Sequence, residues 1–369
     1  MSGKTGFGKA EAAEISAQLT EWLLSRDVQV RSGPESGGVF GWFDQAAPRR
    51  FLYPEATGYY LAFLAYLAHQ AVQSGTIRIY AEQATGWLCR QCGGEEPPPA
   101  RMYADGDASS DWRSGYSFSF DLAMMWRGIA MSRATRLASA LADPALAAVE
   151  RQLARFVPSS GELRASITLR SGLTETSWAS RPGPYQTKCA AALLHSGTRA
   201  PEKLRSSAEA TLALFDHWRP EAFHPELLHH DLYFVEGLLM AGAAQRDETY
   251  LSHAATALER LVAAHRLWLW DECSPYARSD GLAQVLRAGC LLQAAGYLPN
   301  DSWSELLPLL ACTLSGYCGS GGVMHFRRDS AGSLQHVNVW SGLFAAQALS
   351  WFGQWEESAL SIEAAAGLI

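Results

Sequence analysis

The stretch that decides the fold is YPEATGYYLAFLAYLA, residues 53–68. A polar and aromatic entry leads into a run of small and apolar residues that carries no charge after Glu55. Apolar residues would occupy nearly every side of a helix formed by this stretch. We therefore expect a helix that is buried on all sides.

Five further segments repeat this pattern. They are FDLAMMWRGIAM from Phe120, PYQTKCAAALLHSG from Pro184, HDLYFVEGLLMAG from His230, SDGLAQVLRAGCLLQAAG from Ser279 and HVNVWSGLFAAQALSWFG from His336. Segments with one apolar stripe and one charged face, typical of outer helices, alternate with them. These are AEAAEISAQLTEWLLSR from Ala10, residues 77–89, PALAAVERQLARF from Pro144, EKLRSSAEATLALFDHW from Glu202, TYLSHAATALERLVAAH from Thr249 and SWSELLPLLACTL from Ser302.

Six buried helices alternating with six amphipathic ones predict an all-α fold, an (α/α)6 toroid formed as a single domain over residues 1–369. No hairpin of this kind can bury its apolar face without its neighbours. The connections that lead into the buried helices are long, and those that leave them are short. Because long loops on a rigid scaffold usually carry function, we expect the site where the buried helices begin.

Composition excludes several classes of function. The 369 residues contain 37 acidic and 30 basic residues, a net charge of −7, without a run of Lys or Arg. A nucleic-acid partner is therefore not expected. The sequence also contains neither the apolar run of a signal peptide nor a membrane-spanning stretch, which predicts a cytoplasmic protein without a membrane partner.

Seven cysteines form an odd set in a long chain, so we expect reduced core residues rather than a disulfide framework. The CRQC sequence, residues 89–92, is a lone CxxC and only weak evidence for metal binding or redox chemistry.

Four short segments carry a resemblance to known proteins. They are GGVFGWFD (37–44), YPEATGYYL (53–61), SFDLAMMWRG (119–128) and NVWSGLFAAQAL (338–349). They resemble segments of toroidal proteins encoded with polysaccharide or natural-product pathways. In architecture, most of the chain is similar to the six-hairpin glycosidase-like proteins, which include unsaturated-glucuronyl hydrolases, sugar 2-epimerases and uronyl epimerases.

The resemblance implies a carbohydrate-directed hydrolase, lyase or epimerase that uses carboxylates or histidines in an aromatic-lined cleft. One alternative is a cyclase or other tailoring enzyme with a non-sugar substrate; another is a toroid that binds without catalysis. The DxDD motif of terpene cyclases is absent, as is the zinc-binding Cys-His pair of lanthipeptide cyclases.

The candidate catalytic residues lie where the buried helices are entered. They are Glu55, Asp44, Asp121, His230, Asp231 and His336. A carboxylate after Pro54 would lie at a helix N-terminus, where the helix dipole favours its anionic form. The alternatives are a helix-end charge for Glu55, a helix N-cap for Asp121 and a turn residue for Asp44.

The HHD sequence, residues 229–231, favours a proton shuttle over a metal site. Neighbouring side chains on a helix diverge by about 100°, so His229 and His230 would not face one metal ion. We therefore expect neither metal nor cofactor, and one histidine acting beside Asp231. The alternative is a structural cap. Glu236, deeper in the same segment, requires an arginine partner or a cavity.

Aromatic and polar residues near the same entries are the candidates for contact with a small-molecule or saccharide substrate. They are Trp42, Tyr59, Trp268, Trp270, Tyr276, Asp280, Asn338 and Trp340. Indole faces stack on sugar rings, and carboxylates bind hydroxyl groups. The alternative for residues 268–272 is a loop packed under its own tryptophans.

Overall fold

A computed structural model describes residues 7–43, 51–70, 75–103, 111–173, 177–195, 197–219, 227–270, 277–329 and 331–369. The helices within these ranges are α1 (Lys9–Leu23), α2 (Pro54–His69), α3 (Gly75–Cys92), α4 (Ser119–Ala134), α5 (Ser139–Leu153), α6 (Gln186–His195), α7 (Glu202–Phe215), α8 (Leu228–Gln245), α9 (Glu248–Trp270), α10 (Ser279–Ala294), α11 (Asn300–Ser315) and α12 (Val339–Glu356). The strands are β1 (Trp42–Phe43), β2 (Phe51–Leu52), β3 (Met102–Tyr103), β4 (Tyr116–Phe118), β5 (Ser166–Thr168), β6 (His325–Arg328) and β7 (Leu334–Asn338).

The even-numbered helices are buried and the odd-numbered ones amphipathic, as the sequence pattern predicts. In α10, every residue of 279–292 is buried. In α1, by contrast, the only buried residues are Ala12, Leu19, Trp22 and Leu23. The predicted alternation of inner and outer helices is therefore confirmed.

The chain forms two compact units. Helices α1 and α8–α12 belong to one, named here the α8–α12 unit, and α2–α7 belong to the other, the α2–α7 unit. The prediction that residues 1–369 form a single domain stays a prediction.

In the α2–α7 unit, α2 and α4 pack against each other at glycines. A Cβ atom on Gly58 would lie 2.6 Å from the carbonyl oxygen of Met124, and one on Gly128 would lie 3.0 Å from Cβ of Leu61. Contacts therefore advance along both helices in the same direction, and the two helices are parallel. Their first turns lie at the same end.

Helix α6 adjoins α4 at that end. The Cys189 thiol, in the first half of α6, donates a hydrogen bond to the carbonyl oxygen of Ser119, the first residue of α4, with an Sγ to O distance of 3.7 Å. The first turns of α2, α4 and α6 thus form one end of this unit.

The α8–α12 unit has the same arrangement. His229 and Glu236 of α8 contact Gln284 and Arg287 of α10, in that order. Asp280 and Arg287 of α10 contact Trp340 and Gln347 of α12, in that order. The three inner helices of this unit are therefore parallel, with their first turns at one end.

Arg287 is the partner that the sequence requires for Glu236. Its Nε donates to Oε1 of Glu236 at 2.7 Å, and both side chains are fully buried. Arg287 also donates through Nη1 to Oε1 of Gln347 at 3.3 Å.

Short strands precede three inner helices. The helical periodicity of the sequence does not predict these strands. Strands β2, β4 and β7 end immediately or one residue before α2, α4 and α12. They pair antiparallel with β3, β5 and β6. These pairings satisfy backbone groups in the long connections.

Helix α9 is longer than predicted. It continues to Trp270, whereas the sequence places a loop from residue 266. The apolar residues Leu267 to Trp270 continue the helix without a break such as Gly or Pro.

Candidate functional site

Glu55 and Asp121, named here the carboxyl pair, lie in the first turns of the parallel helices α2 and α4. Glu55 follows Pro54, the first residue of α2, and Asp121 is the third residue of α4. They are only 7% and 5% exposed. The N-cap of α4 is Phe118, so the alternative of Asp121 as an N-cap is wrong. Both predicted catalytic acids therefore belong to one buried helix-end region of the α2–α7 unit.

Burial and the charge of Glu55 raise the pKa of Asp121 well above its ordinary value of 3.8. The Oδ2 atom of Asp121 is buried and has no hydrogen-bond partner among the described residues. If Asp121 ionised, this oxygen would carry negative charge without a hydrogen bond. Asp121 is accordingly the member of the pair that retains its proton.

Glu55 has more support for its charge. Burial raises its pKa, but a hydrogen bond from Tyr53, the charge of Lys188 and a hydrogen bond from Tyr59 act in the opposite direction. Glu55 is therefore the member that ionises more readily.

Lys188 is a residue that the sequence reasoning did not select. It is fully buried in α6, and its Nζ lies 5.0 Å from the ring centroid of Tyr59. Within PYQTKCAAALLHSG it is the only Lys or Arg, and a cation in a buried helix was the signal that could have identified it.

Arg101 is a second cation that the sequence reasoning missed. Its Nη1 lies 2.7 Å from Oδ2 of Asp111, which also accepts a hydrogen bond from the Tyr103 hydroxyl at 2.8 Å. The guanidinium lies over the rings of Phe51 and Trp42, at 4.6 Å and 5.7 Å from their centroids. The charge of Arg101 also lowers the pKa values of both members of the carboxyl pair.

A second polar cluster occupies the corresponding end of the α8–α12 unit. The Trp340–Asp280 cluster is defined here as His229, Arg278, Asp280, Gln284 and Trp340. Arg278 donates to both Asp280 oxygens, from Nε at 3.0 Å and from Nη2 at 2.6 Å. Trp340 Nε1 donates to Oδ2 of the same carboxylate at 3.3 Å.

His229 joins this cluster through Nδ1, which lies 2.8 Å from Oε1 of Gln284 and 3.3 Å from Oδ2 of Asp280. Burial lowers the pKa of His229 to about 4, so the ring is neutral near pH 7. Burial also opposes ionisation of Asp280, yet the charge of Arg278, the charge that His229 carries once it is protonated in acid, and a hydrogen bond from Arg278 lower the pKa of Asp280 to about 2.

The remaining predicted residues of this end have local roles. Nδ1 of His230 lies 2.6 Å from Oδ1 of Asp231, so the predicted neighbours are in contact. Asn338 is the N-cap of α12, where its Oδ1 accepts a hydrogen bond from the Ser341 amide at 2.9 Å. His336 lies in β7 with φ of 52°. Their catalytic and substrate-binding roles stay predictions.

Asp44, Tyr276 and the side chains of Trp268 and Trp270 lie outside the described residues. In the part of the chain that the structure describes, no group of three or more His, Cys, Asp and Glu side chains is arranged to hold a metal ion. No described helix is both long and apolar enough to cross a membrane.

Comparisons with known proteins connect the chain to solved structures alone: neither a protein-family model nor a curated protein matches it. An unsaturated glucuronyl hydrolase specific for heparin is 12% identical, with 95% of this chain and 97% of that chain covered and a TM-score of 0.61. A cellobiose 2-epimerase from Spirochaeta thermophila is 12% identical, with coverage of 95% and 97% and a TM-score of 0.66. A type II terpene cyclase from Scytonema is 14% identical, with coverage of 94% and 99% and a TM-score of 0.54.

These similar structures are all (α/α)6 toroid proteins, and they match nearly the whole chain. The predicted all-α (α/α)6 fold is therefore confirmed, as is the resemblance in architecture. At this level of identity the likeness concerns the fold.

Proposed function

We propose that the protein is a carbohydrate-directed enzyme in which Asp121 donates a proton and Glu55 accepts one. The observation that carries this proposal is the carboxyl pair itself: two buried acids in the first turns of adjoining parallel helices, with unequal surroundings. Pairs of titratable groups whose environments separate their pKa values are typical of acid/base sites.

The surroundings assign the two roles. Asp121 has an unpartnered buried oxygen and a pKa raised by burial and by Glu55, which suits a general acid. Glu55 has Tyr53, Lys188 and Tyr59 to support its negative charge, which suits a general base. Each such proton transfer typically accelerates a reaction by about 10²- to 10⁴-fold.

Lys188 and the two tyrosines are proposed as positioning residues for Glu55. Because they favour its ionised form, they keep a base available in surroundings that would otherwise hold its proton. The aromatic rings of Phe51 and Trp42, with Arg101 over them, provide apolar surface and hydrogen-bond donors in the same unit.

A saccharide is the substrate class that these features support best. Hydrolysis, elimination and epimerisation of sugars all require a proton to be given and another to be taken. The solved structures with this fold that are named as a glucuronyl hydrolase and a cellobiose 2-epimerase support the same class. The proposal implies that the protein binds a saccharide.

A second candidate is cyclisation of a non-sugar substrate. It is favoured by the solved terpene cyclase of the same fold and by Asp121, a buried acid whose pKa is raised well above its ordinary value, since an acid of this kind can protonate an apolar substrate. In that case Glu55 would be dispensable.

Proton NMR in D2O tests the proposal, because one spectrum can detect all three sugar reactions. Neutral and uronic oligosaccharides would be incubated with the wild type, the Asp121→Asn variant and a Glu202→Gln control. New anomeric signals report hydrolysis, alkene signals report elimination, and loss of a ring C–H signal to deuterium reports epimerisation. We expect one of these in the wild type and the control, and none in Asp121→Asn. Turnover of a polyprenyl substrate without any sugar reaction would support the cyclase instead.

A further inference from the structure

Three buried neutral groups in α10 and α12 have no hydrogen-bond partner among the described residues. They are Nε2 of Gln284, Oγ of Ser279 and Oγ of Ser341, in residues that are 0% exposed. Buried polar groups are nearly always hydrogen-bonded in folded proteins. Three unpaired groups in these two helices therefore indicate partners other than the described residues.

Gln284 belongs to the Trp340–Asp280 cluster, and the two serines are next in sequence to its members. Gln284 presents its other amide atom, Oε1, to Nδ1 of His229 at 2.8 Å. Ser279 directly precedes Asp280 at the start of α10, and Ser341 directly follows Trp340 in the first turn of α12. The unpaired groups thus belong to the same helix-end region as an aromatic ring, a carboxylate and a guanidinium.

The charges of this region argue against an anionic ligand. Arg278 is neutralised by its two hydrogen bonds to Asp280. His229 is neutral near pH 7, and the other two titratable residues in this turn of α8, His230 and Asp231, lie in contact with each other. The cluster therefore offers a carboxylate or phosphate no cationic side chain other than Arg278, which is already paired with Asp280.

Donors and acceptors are instead mixed. The Gln284 amide donates, and the serine hydroxyls donate or accept. A hydroxyl group both donates and accepts, so a ligand with several hydroxyls matches this set. Trp340 and Phe326, in edge contact with ring centroids 6.1 Å apart, add an aromatic surface for the C–H face of a sugar ring.

We propose that the first turns of α10 and α12, with His229 of α8, bind the hydroxyl groups of a neutral sugar through Gln284, Ser279, Ser341 and Trp340. This inference rests on the proposed function in that the ligand is a saccharide, and it specifies that the α8–α12 unit binds sugars without charge at this position.

Helix α12 and helix α10 themselves provide matched controls. Trp355 is a second tryptophan of α12 whose indole N–H donates to a polar side chain of α10, namely Gln293, but it lies at the other end of both helices. Trp355→Leu therefore matches Trp340→Leu, and Gln293→Leu matches Gln284→Leu.

Binding would be measured by calorimetry in a background carrying Asp121→Asn, so that no turnover is needed. The probes are glucose, mannose, cellobiose and maltose, with glucuronate as the anionic probe. We expect at least one neutral sugar to bind, with affinity reduced at least tenfold by Trp340→Leu and by Gln284→Leu and less than twofold by the controls. Glucuronate should bind at least tenfold more weakly. Absence of binding by all four neutral sugars, equal effects of test and control variants, or preference for glucuronate would overturn the inference.

Loss of folding is separated from loss of binding by the Trp340→Phe variant, which keeps an aromatic ring, and by thermal unfolding of every variant. Trp340→Phe should retain more affinity than Trp340→Leu, and equal losses in the two would contradict a role for the ring. Sugar turnover that depends on Asp121, together with unchanged binding in Gln284→Leu, would remove this inference alone. Binding that depends on Trp340, without sugar turnover in the wild type, would remove the proposed function alone.

Discussion

A Cβ atom on Gly128 of α4 would lie 2.1 Å from the carbonyl oxygen of Gly58 of α2, so the two helices touch backbone to backbone. Gly58 lies one turn after Glu55, and Met124, which it also contacts, lies one turn after Asp121. The contact between glycines therefore sets how far α2 and α4 are shifted along each other. It keeps Glu55 and Asp121 at the same end of the two helices.

We expect Gly128→Ala to destabilise the protein by about 1 to 3 kcal/mol, because the new methyl group forces α2 and α4 apart. Gly86→Ala in α3 is the matched control. Its Cβ would meet nothing closer than 3.5 Å, so the change should be neutral or stabilise by up to about 1 kcal/mol through helix propensity. Urea unfolding measures both, and equal effects would contradict the close packing.

The Asp121→Asn variant should alter the pH dependence of stability. Because the folded state raises the pKa of Asp121, its contribution is fully present below the unfolded value of 3.8 and is lost as pH rises through the folded pKa. The variant should therefore become more stable relative to the wild type as pH rises above 3.8. A difference in unfolding free energy that is constant over this range would contradict the raised pKa.

Removing one member of the buried ion pair should cost more than removing both. Arg287→Met leaves Glu236 buried without its counter-charge, and we expect a loss of about 3 to 5 kcal/mol. Glu236→Leu combined with Arg287→Met should recover most of that loss, since buried pairs replaced by apolar residues are often neutral. A double-mutant cycle of unfolding free energies checks this, and additive losses would contradict the pairing.

His229 should destabilise the protein in mild acid. Its pKa is lowered from 6.5 to about 4, so its contribution to stability is present above 6.5 and is lost as pH falls from 6.5 to 4. His229→Gln removes this group, and its unfolding free energy should depend less on pH over that interval. NMR titration of the His229 ring in the wild type gives the pKa directly; a value near 6.5 would contradict its burial against Gln284.

Much of the architecture could be predicted from sequence because it depends on periodicity. The runs in residues 53–68 and 279–292 contain only one and two charged residues, too few for a helix that lies at a surface, which predicts that both are inner helices. The sequence predicts a loop from residue 266 because polar residues begin at Asp271. The apolar residues Leu267 to Trp270 before them belong to α9 instead. The strands are too short to show the alternation of apolar and polar residues by which a strand is identified in a sequence.

The candidate site could be predicted only in part. Glu55 and Asp121 were identifiable as acids opening apolar helices, but their proximity depends on glycine contacts between α2 and α4. Lys188 and Arg101 were missed because their importance comes from the groups around them: Lys188 lies near Tyr59, and Arg101 pairs with Asp111. Spacing in the sequence does not encode such contacts between helices and loops.

The pH dependence of kcat/KM for the sugar identified by NMR tests the central claim most directly. With Glu55 as base and Asp121 as acid, the wild type should give a bell-shaped profile that rises as Glu55 loses its proton and falls as Asp121 does, the two apparent pKa values belonging to the pair. Glu55→Gln and Asp121→Asn should each reduce kcat/KM by about 10²- to 10⁴-fold. The profile of Glu55→Gln should lack the acidic limb, and that of Asp121→Asn should lack the alkaline limb. The Glu202→Gln control should keep the wild-type profile. A wild-type profile that neither substitution changes would contradict the assignment of the carboxyl pair as acid and base.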